Sequence, residues 1–350
     1  MRKRLLLRPE HVSASRDDLE VIGVFNPGAT EYQGRVLLFA RVAEQPREKR
    51  EGFVALPRWT SGGELAVDWL RDEEVIHTDP RVVTVRASER VRLKFISHLL
   101  VVDAGDGLAV DNLNGARFFP REEWEEYGVE DPRITRFGDH YWITYVAVSR
   151  HGAATALAST QDFRQFTRHG IIFAVENKDV VLFPEVINDQ YVALHRPNGA
   201  TPFTMPEMWV AHSKDLIHWG RHEPLFAGQS GWETGRVGAG APPIRTEPGW
   251  LEIYHGNQRP NVARDVGRYV AAAMILDADD PRQIVRQSVE PLFIPTEPYE
   301  CEGFVRNVVF PTGIVSRDDS LLVYYGASDT YSAVVEIDME EVLSGLQPVS

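Results

Sequence analysis

The chain has 350 residues, 43% of them hydrophobic and 25% charged, and a formal charge of −14; it is large enough to bury a sizeable core and carries no compositionally disordered block. That negative balance argues against nucleic acid and anionic membrane as partners, because both are held by basic stripes, and any bound anion would need a local cationic cluster. The single cysteine, Cys301, excludes an intrachain disulfide and a cysteine-rich zinc site and reads as a small packed residue.

In chain order, Met1-Arg2-Lys3-Arg4 starts as a leader would, but only Leu5, Leu6 and Leu7 follow before Arg8 and Pro9, too few for the apolar part of a signal peptide. No apolar run approaches the roughly 20 residues that cross a bilayer, and a cytoplasmic location is the expectation. Runs rich in β-branched and aromatic residues, each introduced by a turn residue, predict strands at 34–42, 138–148, 189–196, 249–256 and 319–326, with a further one at 97–103. Helix is expected only at 121–127 and 338–346.

Segments after these strands echo one another. Thr160 to His169 (TQDFRQFTRH) and Ser213 to His222 (SKDLIHWGRH) share one pattern, and Glu223-Pro224-Leu225-Phe226 returns as Glu290-Pro291-Leu292-Phe293. Repetition at about 50 to 70 residues points to radially arranged four-stranded units. The expected fold is all-β, a five-bladed β-propeller forming one catalytic domain over 1–350 with short terminal extensions; a sandwich is the competing all-β layout.

Two groups of residues stand out as carriers of chemistry. Val129-Glu130-Asp131-Pro132-Arg133 puts two acids before a proline at the start of a strand; Pro132 supplies no backbone donor and is expected to hold Asp131 extended, its carboxylate facing a central pocket. An ordinary Asp-Pro turn fits the same residues. The second group is basic: Lys178, His195, Arg196, Arg236 and His255 stand near strand ends, where together they would build an anion pocket from charge-assisted and bidentate hydrogen bonds. Gly238-Ala239-Gly240-Ala241-Pro242-Pro243 lacks the Lys-Ser/Thr ending of a P-loop and reads as close backbone packing. The eleven histidines include no His-x-x-x-His or His-Glu-x-x-His helix, so no metal is called for.

Taken together, Leu37-Leu38-Phe39-Ala40-Arg41-Val42, Glu130-Asp131-Pro132-Arg133, Leu182-Phe183-Pro184-Glu185, Leu194-His195-Arg196-Pro197, Arg236 to Pro243, Ile253-Tyr254-His255-Gly256 and Asn307-Val308-Val309-Phe310-Pro311 resemble glycoside hydrolase family 130, the inverting mannoside phosphorylases and β-mannosidases built on a five-bladed propeller. The resemblance runs from about Phe25-Asn26-Pro27-Gly28 to Tyr325-Gly326-Ala327-Ser328-Asp329. It implies that Asp131 is the general acid, giving its proton directly or through a mannose hydroxyl. It assigns phosphate to Lys178, Arg196, Arg236 and His255, with Tyr269 adding a hydroxyl, and the transferred mannose to Asn26, Arg41 and Asp329. Family members often carry Arg where Lys178 stands and Lys where Arg236 stands, a change that matters at bidentate sites. The implied reaction is phosphorolysis of a β-mannoside to α-mannose 1-phosphate, without a cofactor and with inorganic phosphate as co-substrate.

Retention of the basic group favours a phosphorylase over an inverting β-mannosidase, in which Glu185 or Glu207 would activate water. Ser149-Arg150-His151-Gly152 and Glu176-Asn177-Lys178-Asp179 look closer to the β-1,2 branch than to the β-1,4 branch. A non-catalytic glycan-binding propeller is a third reading. Linkage and acceptor would be set by loops such as 43–52 and 198–206, and self-association into a homo-oligomer stays open.

Overall fold

The computed structural model describes residues 1–60, 62–199, 203–229, 231–259 and 266–349. All six expected strands are present, as Arg35–Pro46, Ile96–Asp103, His140–Ser149, Tyr191–Pro197, Gly249–Gln258 and Ser320–Ala327. Their nearly unbroken apolar character has a simple cause: both faces of these strands are covered. In Ser320–Ala327, Leu321, Val323 and Tyr325 enter one hydrophobic core while Leu322 and Tyr324 enter another. A period of two divides alternate side chains between the cores. Each fully buried side chain of this size contributes about 1.5–3 kcal/mol, so a one-residue slip would be costly along the whole strand.

The main strands form four sheets. In the first, Arg2–Leu7 lies at the edge beside Tyr331–Asp338, followed by Ser320–Ala327 and Val309–Arg317, so residues expected as a terminal extension pair with the far end of the chain. The second, eight-stranded sheet holds two groups. One comprises Leu19–Tyr32, Arg35–Pro46, Ile96–Asp103 and Arg117–Phe118; the other comprises Gly128–Phe137, His140–Ser149, Gly152–Thr160 and Thr167–Phe173. Only Gly128 pairing with Ser97 joins the two. Asn177–Leu182, Tyr191–Pro197, Met208–Ser213 and Trp219–Phe226 make the third sheet. The fourth is built on Arg236–Ala239, Gly249–Gln258, Arg268–Leu276 and Ile284–Gln287.

Five apolar clusters link these five groups in succession. Leu38, Leu100 and Tyr324 join the terminal sheet to the first group, and Phe39, Val129 and Tyr145 join the first group to the second. Leu157, Leu182 and Ala193 join the second group to the third sheet, and Leu194, Trp250 and Tyr254 join the third to the fourth. Ile253, Val309 and Tyr325 bring the fourth back to the terminal sheet.

The longer of the two sequence echoes marks structurally equivalent turns; the shorter does not, since Glu223 to Phe226 end a strand and 290–293 lie outside the strands. Asp162 Oδ1 accepts from the backbone N–H of Arg164 and Gln165 at 2.8 and 2.9 Å, and Asp215 Oδ1 accepts from Ile217 and His218 at 3.0 and 2.8 Å. Each turn leads from the third to the fourth strand of its group, with Phe163 and Leu216 both at positive φ. A second repeat is invisible as a pattern. Glu125, Glu233 and Glu300, each in a short helical turn, accept a hydrogen bond from Tyr145, Tyr254 and Tyr325 at 2.7, 2.9 and 2.6 Å. For Glu125 this explains why the helix expected at 121–127 is only the 3-10 turn Glu123–Glu125. The carboxylate turns inward and holds the N–H groups of Arg121 and Glu122, satisfying donors that a longer helix would bond internally. Met339–Gly345 is helical as expected, with Asp338 capping the N–H of Glu341 at 2.9 Å. Cys301 is half-buried on the short helix Pro298–Cys301.

A segment between Arg35–Pro46 and Ile96–Asp103 forms a ribbon, Phe53–Trp59 with Leu65–Arg71, and a small sheet, Val75–His77, Val82–Val85 and Arg90–Leu93. None of the expected strands falls in this segment. Val54, Leu56, Val75 and Val83 give it a core of its own. No helix among the described residues is long and apolar enough to cross a membrane.

Candidate active site

A cavity of about 590 Å³ receives side chains from all five strand groups and from the inserted sheet. Asn26 and Arg41 come from the first group, Glu130 and Asp131 from the second, and Lys178, Asp179 and Arg196 from the third sheet. Arg236 and Tyr269 come from the fourth, Asp329 from the terminal sheet, and Arg81 from the insertion. Every residue that the family resemblance assigns to the site, except His255, therefore lines one space, whereas His195 of the basic group does not.

Three β-bulges make this possible. The pairing registers break between Phe25 and Gly28, between Glu130 and Arg133, and between Lys178 and Val181. Within these breaks Asn26, Asp131 and Asp179 have φ of 49°, 49° and 54°, a left-handed conformation that costs a non-glycine residue roughly 1–3 kcal/mol. The expectation of an extended Asp131 is therefore corrected: the residue lies inside the strand Gly128–Phe137, and the bulge overrides the bias imposed by Pro132. Regular alternation would send Glu130 and Asp131 to opposite faces, as it would Lys178 and Asp179. The bulges bring all four to the cavity.

Asp131 is 8% exposed, and its Oδ1 accepts from Asn26 Nδ2 at 2.8 Å and from Arg41 at 3.0 Å. Arg41 also donates to Ser97 Oγ at 3.0 Å and to Glu130 Oε1 at 2.6 Å, and its guanidinium lies 4.7 Å from the Phe25 ring centre. Burial pushes the Asp131 carboxyl upward, yet Arg41, Arg133 and Lys178 outweigh it and bring the group to about 2. In the unliganded protein Asp131 is a carboxylate.

The basic group surrounds a buried acid that the sequence reading passed over. Asp179 Oδ2 lies 2.5 Å from Arg196 and 3.5 Å from His255 Nε2, and its Oδ1 lies 3.5 Å from Arg133. Burial opposes its ionisation, but Arg196, His255 and Arg133 hold it below the usual carboxylate range. Arg133 spans the site, donating to the Asp131 carbonyl at 2.7 Å and to the Gly240 carbonyl at 3.0 Å. Gly238 allows the close approach expected of its glycine-rich segment, because a Cβ there would stand 2.6 Å from Asp179 Oδ2.

His255 is fully buried behind this layer, with Nε2 3.0 Å from Arg196 and its ring 4.4 Å from Phe310. Burial drives it down to about 3, so it is neutral, and it meets the cavity through Arg196, Asp179 and Phe310. His195, on the opposite face of its strand, stacks on Phe173 at 4.7 Å and contacts Asn177 and His222. Two cations keep an idle nitrogen: among the described residues Arg196 Nε and Arg236 Nε are enclosed without a hydrogen-bond partner, and Arg236 makes no ion pair. Lys178 stands 3.7 Å from Glu130 Oε2. Burying cations without a counter-charge is unfavourable, and this arrangement is suited to hold a tetrahedral oxyanion.

The family model described as beta-1,4-mannooligosaccharide phosphorylase, glycoside hydrolase 130, matches residues 80–347. The chain belongs to glycoside hydrolase family 130. It is similar to the beta-1,2-mannobiose phosphorylase of Listeria innocua, 37% identical over 348 residues, covering 98% of this chain and 96% of that protein. It is also similar to the 1,2-beta-oligomannan phosphorylase of Thermoanaerobacter sp. strain X514, 35% identical over 253 residues, which are 71% of this chain and 81% of that one. The solved Listeria innocua enzyme in complex with beta-1,2-mannobiose superposes with a TM-score of 0.90 at 38% identity, over 97% of this chain and 96% of that one.

Sequence reasoning missed Glu130 as a separate participant, and with it Arg133, Asp179 and Arg81. The first two stand inside the quoted Glu-Asp-Pro-Arg motif and Asp179 adjoins Lys178, so adjacency was their only signal. Glu185 is exposed, Glu207 accepts from Trp209 Nε1 at 3.1 Å, and neither lines the cavity. That removes both acids proposed to activate water. The loop at 43–52 begins later than expected, because the strand continues to Pro46; of the loop at 198–206, residues 200–202 lie outside the described residues.

Proposed function

We propose that this family 130 protein is an inverting phosphorylase of β-1,2-linked mannosides, converting mannobiose or a short oligomannan and inorganic phosphate to α-mannose 1-phosphate and the shortened sugar. The observation that carries the reading is the set of incompletely partnered cations, Lys178, Arg196 and Arg236, in the same cavity as Asp131. A hydrolase would leave Arg236 without an anion, and Arg196 and Lys178 with only the carboxylates of Asp179 and Glu130. The β-1,2 preference rests on the named activities of the two relatives and of the solved neighbour. The five strand groups, linked cyclically by five cores, are read as the blades of a five-bladed propeller forming one catalytic domain over 1–350, with the strand Arg2–Leu7 closing the ring.

In this mechanism phosphate rests on Lys178, Arg196 and Arg236, with Tyr269 adding its hydroxyl, and attacks the anomeric carbon on the face opposite the leaving oxygen. The C1–O bond breaks with inversion, and Asp131 supplies the proton to the departing oxygen, directly or through a sugar hydroxyl. The low pKa of Asp131 sets a requirement. Phosphate offsets the charge of Lys178, one of the cations holding the carboxyl down, so its arrival favours protonation of Asp131 when a donor is needed. His255 acts behind the pocket, orienting Arg196. The product is a charged sugar phosphate that stays inside a membrane-bounded compartment, in keeping with a cytoplasmic location.

The decisive assay incubates the protein with β-1,2-mannobiose with and without phosphate and follows mannose 1-phosphate. Strict phosphate dependence is expected. Release of free mannose at the same rate without phosphate would overturn the proposal in favour of a β-mannosidase, and turnover of β-1,4-mannobiose alone would move it to the other branch.

A further inference from the structure

The inserted sheet contributes one residue to the cavity that no motif announced. Arg81 precedes the strand Val82–Val85, and Asp79 holds it on one side: the guanidinium NH2 and Nε donate to Asp79 at 3.0 and 3.4 Å, and the backbone N–H does so at 2.7 Å. This fork leaves the remaining nitrogen, NH1, without a hydrogen bond among the described residues, on a side chain that lines the cavity. Its nearest acid is Asp329, with NH1 4.0 Å from Oδ2. Asp329 has φ of 50° and a side chain 18% exposed, and its carboxylate accepts no hydrogen bond from any described residue. Its desolvation, with Asp131 and Glu130 nearby, raises its pKa against the pull of Arg81 and Arg41.

A pair of opposite charges held 4.0 Å apart is too long for a direct hydrogen bond. The gap has the size of one bridging hydroxyl. An oxygen about 2.7–2.8 Å from each atom would sit at roughly a right angle between them, donating to the acid and accepting from the guanidinium. Phosphate fits this position poorly, because it would have to face the Asp329 carboxylate.

We infer that Arg81 completes, with the Asp329 that the family resemblance already assigns to the transferred mannose, a clamp for one ring hydroxyl of that sugar, which makes the inserted sheet a determinant of sugar specificity. This rests on the reading of the cavity as a mannoside site. Arg81 is a positioning residue, preset by Asp79, and the clamp closes only when a sugar hydroxyl fills it.

The test uses the full-length protein with β-1,2-mannobiose and its mono-deoxy analogues. Arg81→Ala is expected to raise KM for mannobiose by about 10–100-fold while the KM for phosphate changes by less than about 2-fold. In wild type one mono-deoxy analogue should lose at least about 30-fold in kcat/KM, and Arg81→Ala should not distinguish that analogue from the parent sugar. Arg81→Lys, which keeps charge without the fork, should fall between. Thermal unfolding of each variant checks the fold. If the wild type accepts every mono-deoxy analogue within about 3-fold, the clamp is overturned whether or not the variants fold. An effect of Arg81→Ala on phosphate KM alone would overturn it equally. Failure of the wild type to turn over mannobiose with phosphate would instead remove the functional reading beneath it.

Discussion

Two populations of buried charge differ in one respect: how completely the protein satisfies them. Between the sheets, Glu300 is fully buried and accepts from Tyr325 at 2.6 Å, Lys3 at 2.8 Å and the N–H groups of Thr296 and Glu297 at 2.7 and 2.9 Å. Glu125 is served likewise by Tyr145, Arg168 and two backbone N–H groups. At the cavity, among the described residues, Asp329 accepts no hydrogen bond, Arg81 keeps one nitrogen idle, and Arg196 and Arg236 each leave Nε unpaired. A saturated buried charge holds architecture together, whereas an unsaturated one retains free energy that a ligand can release. Burial alone does not distinguish the two.

Substitutions in the two populations should therefore separate stability from catalysis. The largest effect is expected at the cavity: Asp131→Asn should lower kcat by about 100-fold or more while leaving the midpoint of thermal unfolding within a few degrees. Near wild-type turnover would remove Asp131 as the donor. Between the sheets the outcome reverses. Glu300→Ala strands the Tyr325 hydroxyl, Lys3 and two N–H groups and should cost about 3 kcal/mol in denaturant unfolding, with kcat retained in the fraction that stays folded. Arg196→Ala belongs to the cavity population and should raise the KM for phosphate by about 10–30-fold with a smaller change in the KM for mannoside; equal changes in both would contradict the phosphate pocket.

The smallest effect concerns pH. Burial, with His222 nearby, pushes His195 down to about 3, and burial pushes His255 down to about 3. Both are depressed below the unfolded value, so the unfolded chain binds more protons between about pH 6.5 and pH 3. The stability they confer is complete above about pH 6.5 and is lost as the pH falls toward 3. Between pH 6.5 and 5 each should cost about 2 kcal/mol. His195→Gln should flatten that acid limb in unfolding measured across this range, and an unchanged slope would show that His195 does not titrate as its burial requires.

Much of this molecule was legible before folding. Apolar runs covered on both faces fixed where the central strands lie, because alternation is a local property that survives into the tertiary structure, and the Asp-containing echoes marked equivalent turns because an Asp carboxylate can cap its own turn. Asp131 and the basic residues were found through the order of their motifs. Other features depended on partners distant in sequence. Glu125, Glu233 and Glu300 repeat only as partners of tyrosines 20, 21 and 25 residues away, too irregular a spacing to show as a period. Asp179 and Arg81 gained their roles from groups on other sheets and from an insertion with its own small core. The bulges did most to separate the two levels. Sequence alternation would have put Glu130 and Asp131 on opposite faces, and only the left-handed turn at Asp131, held by Asn26 and Arg41 from another strand group, brought both to the cavity.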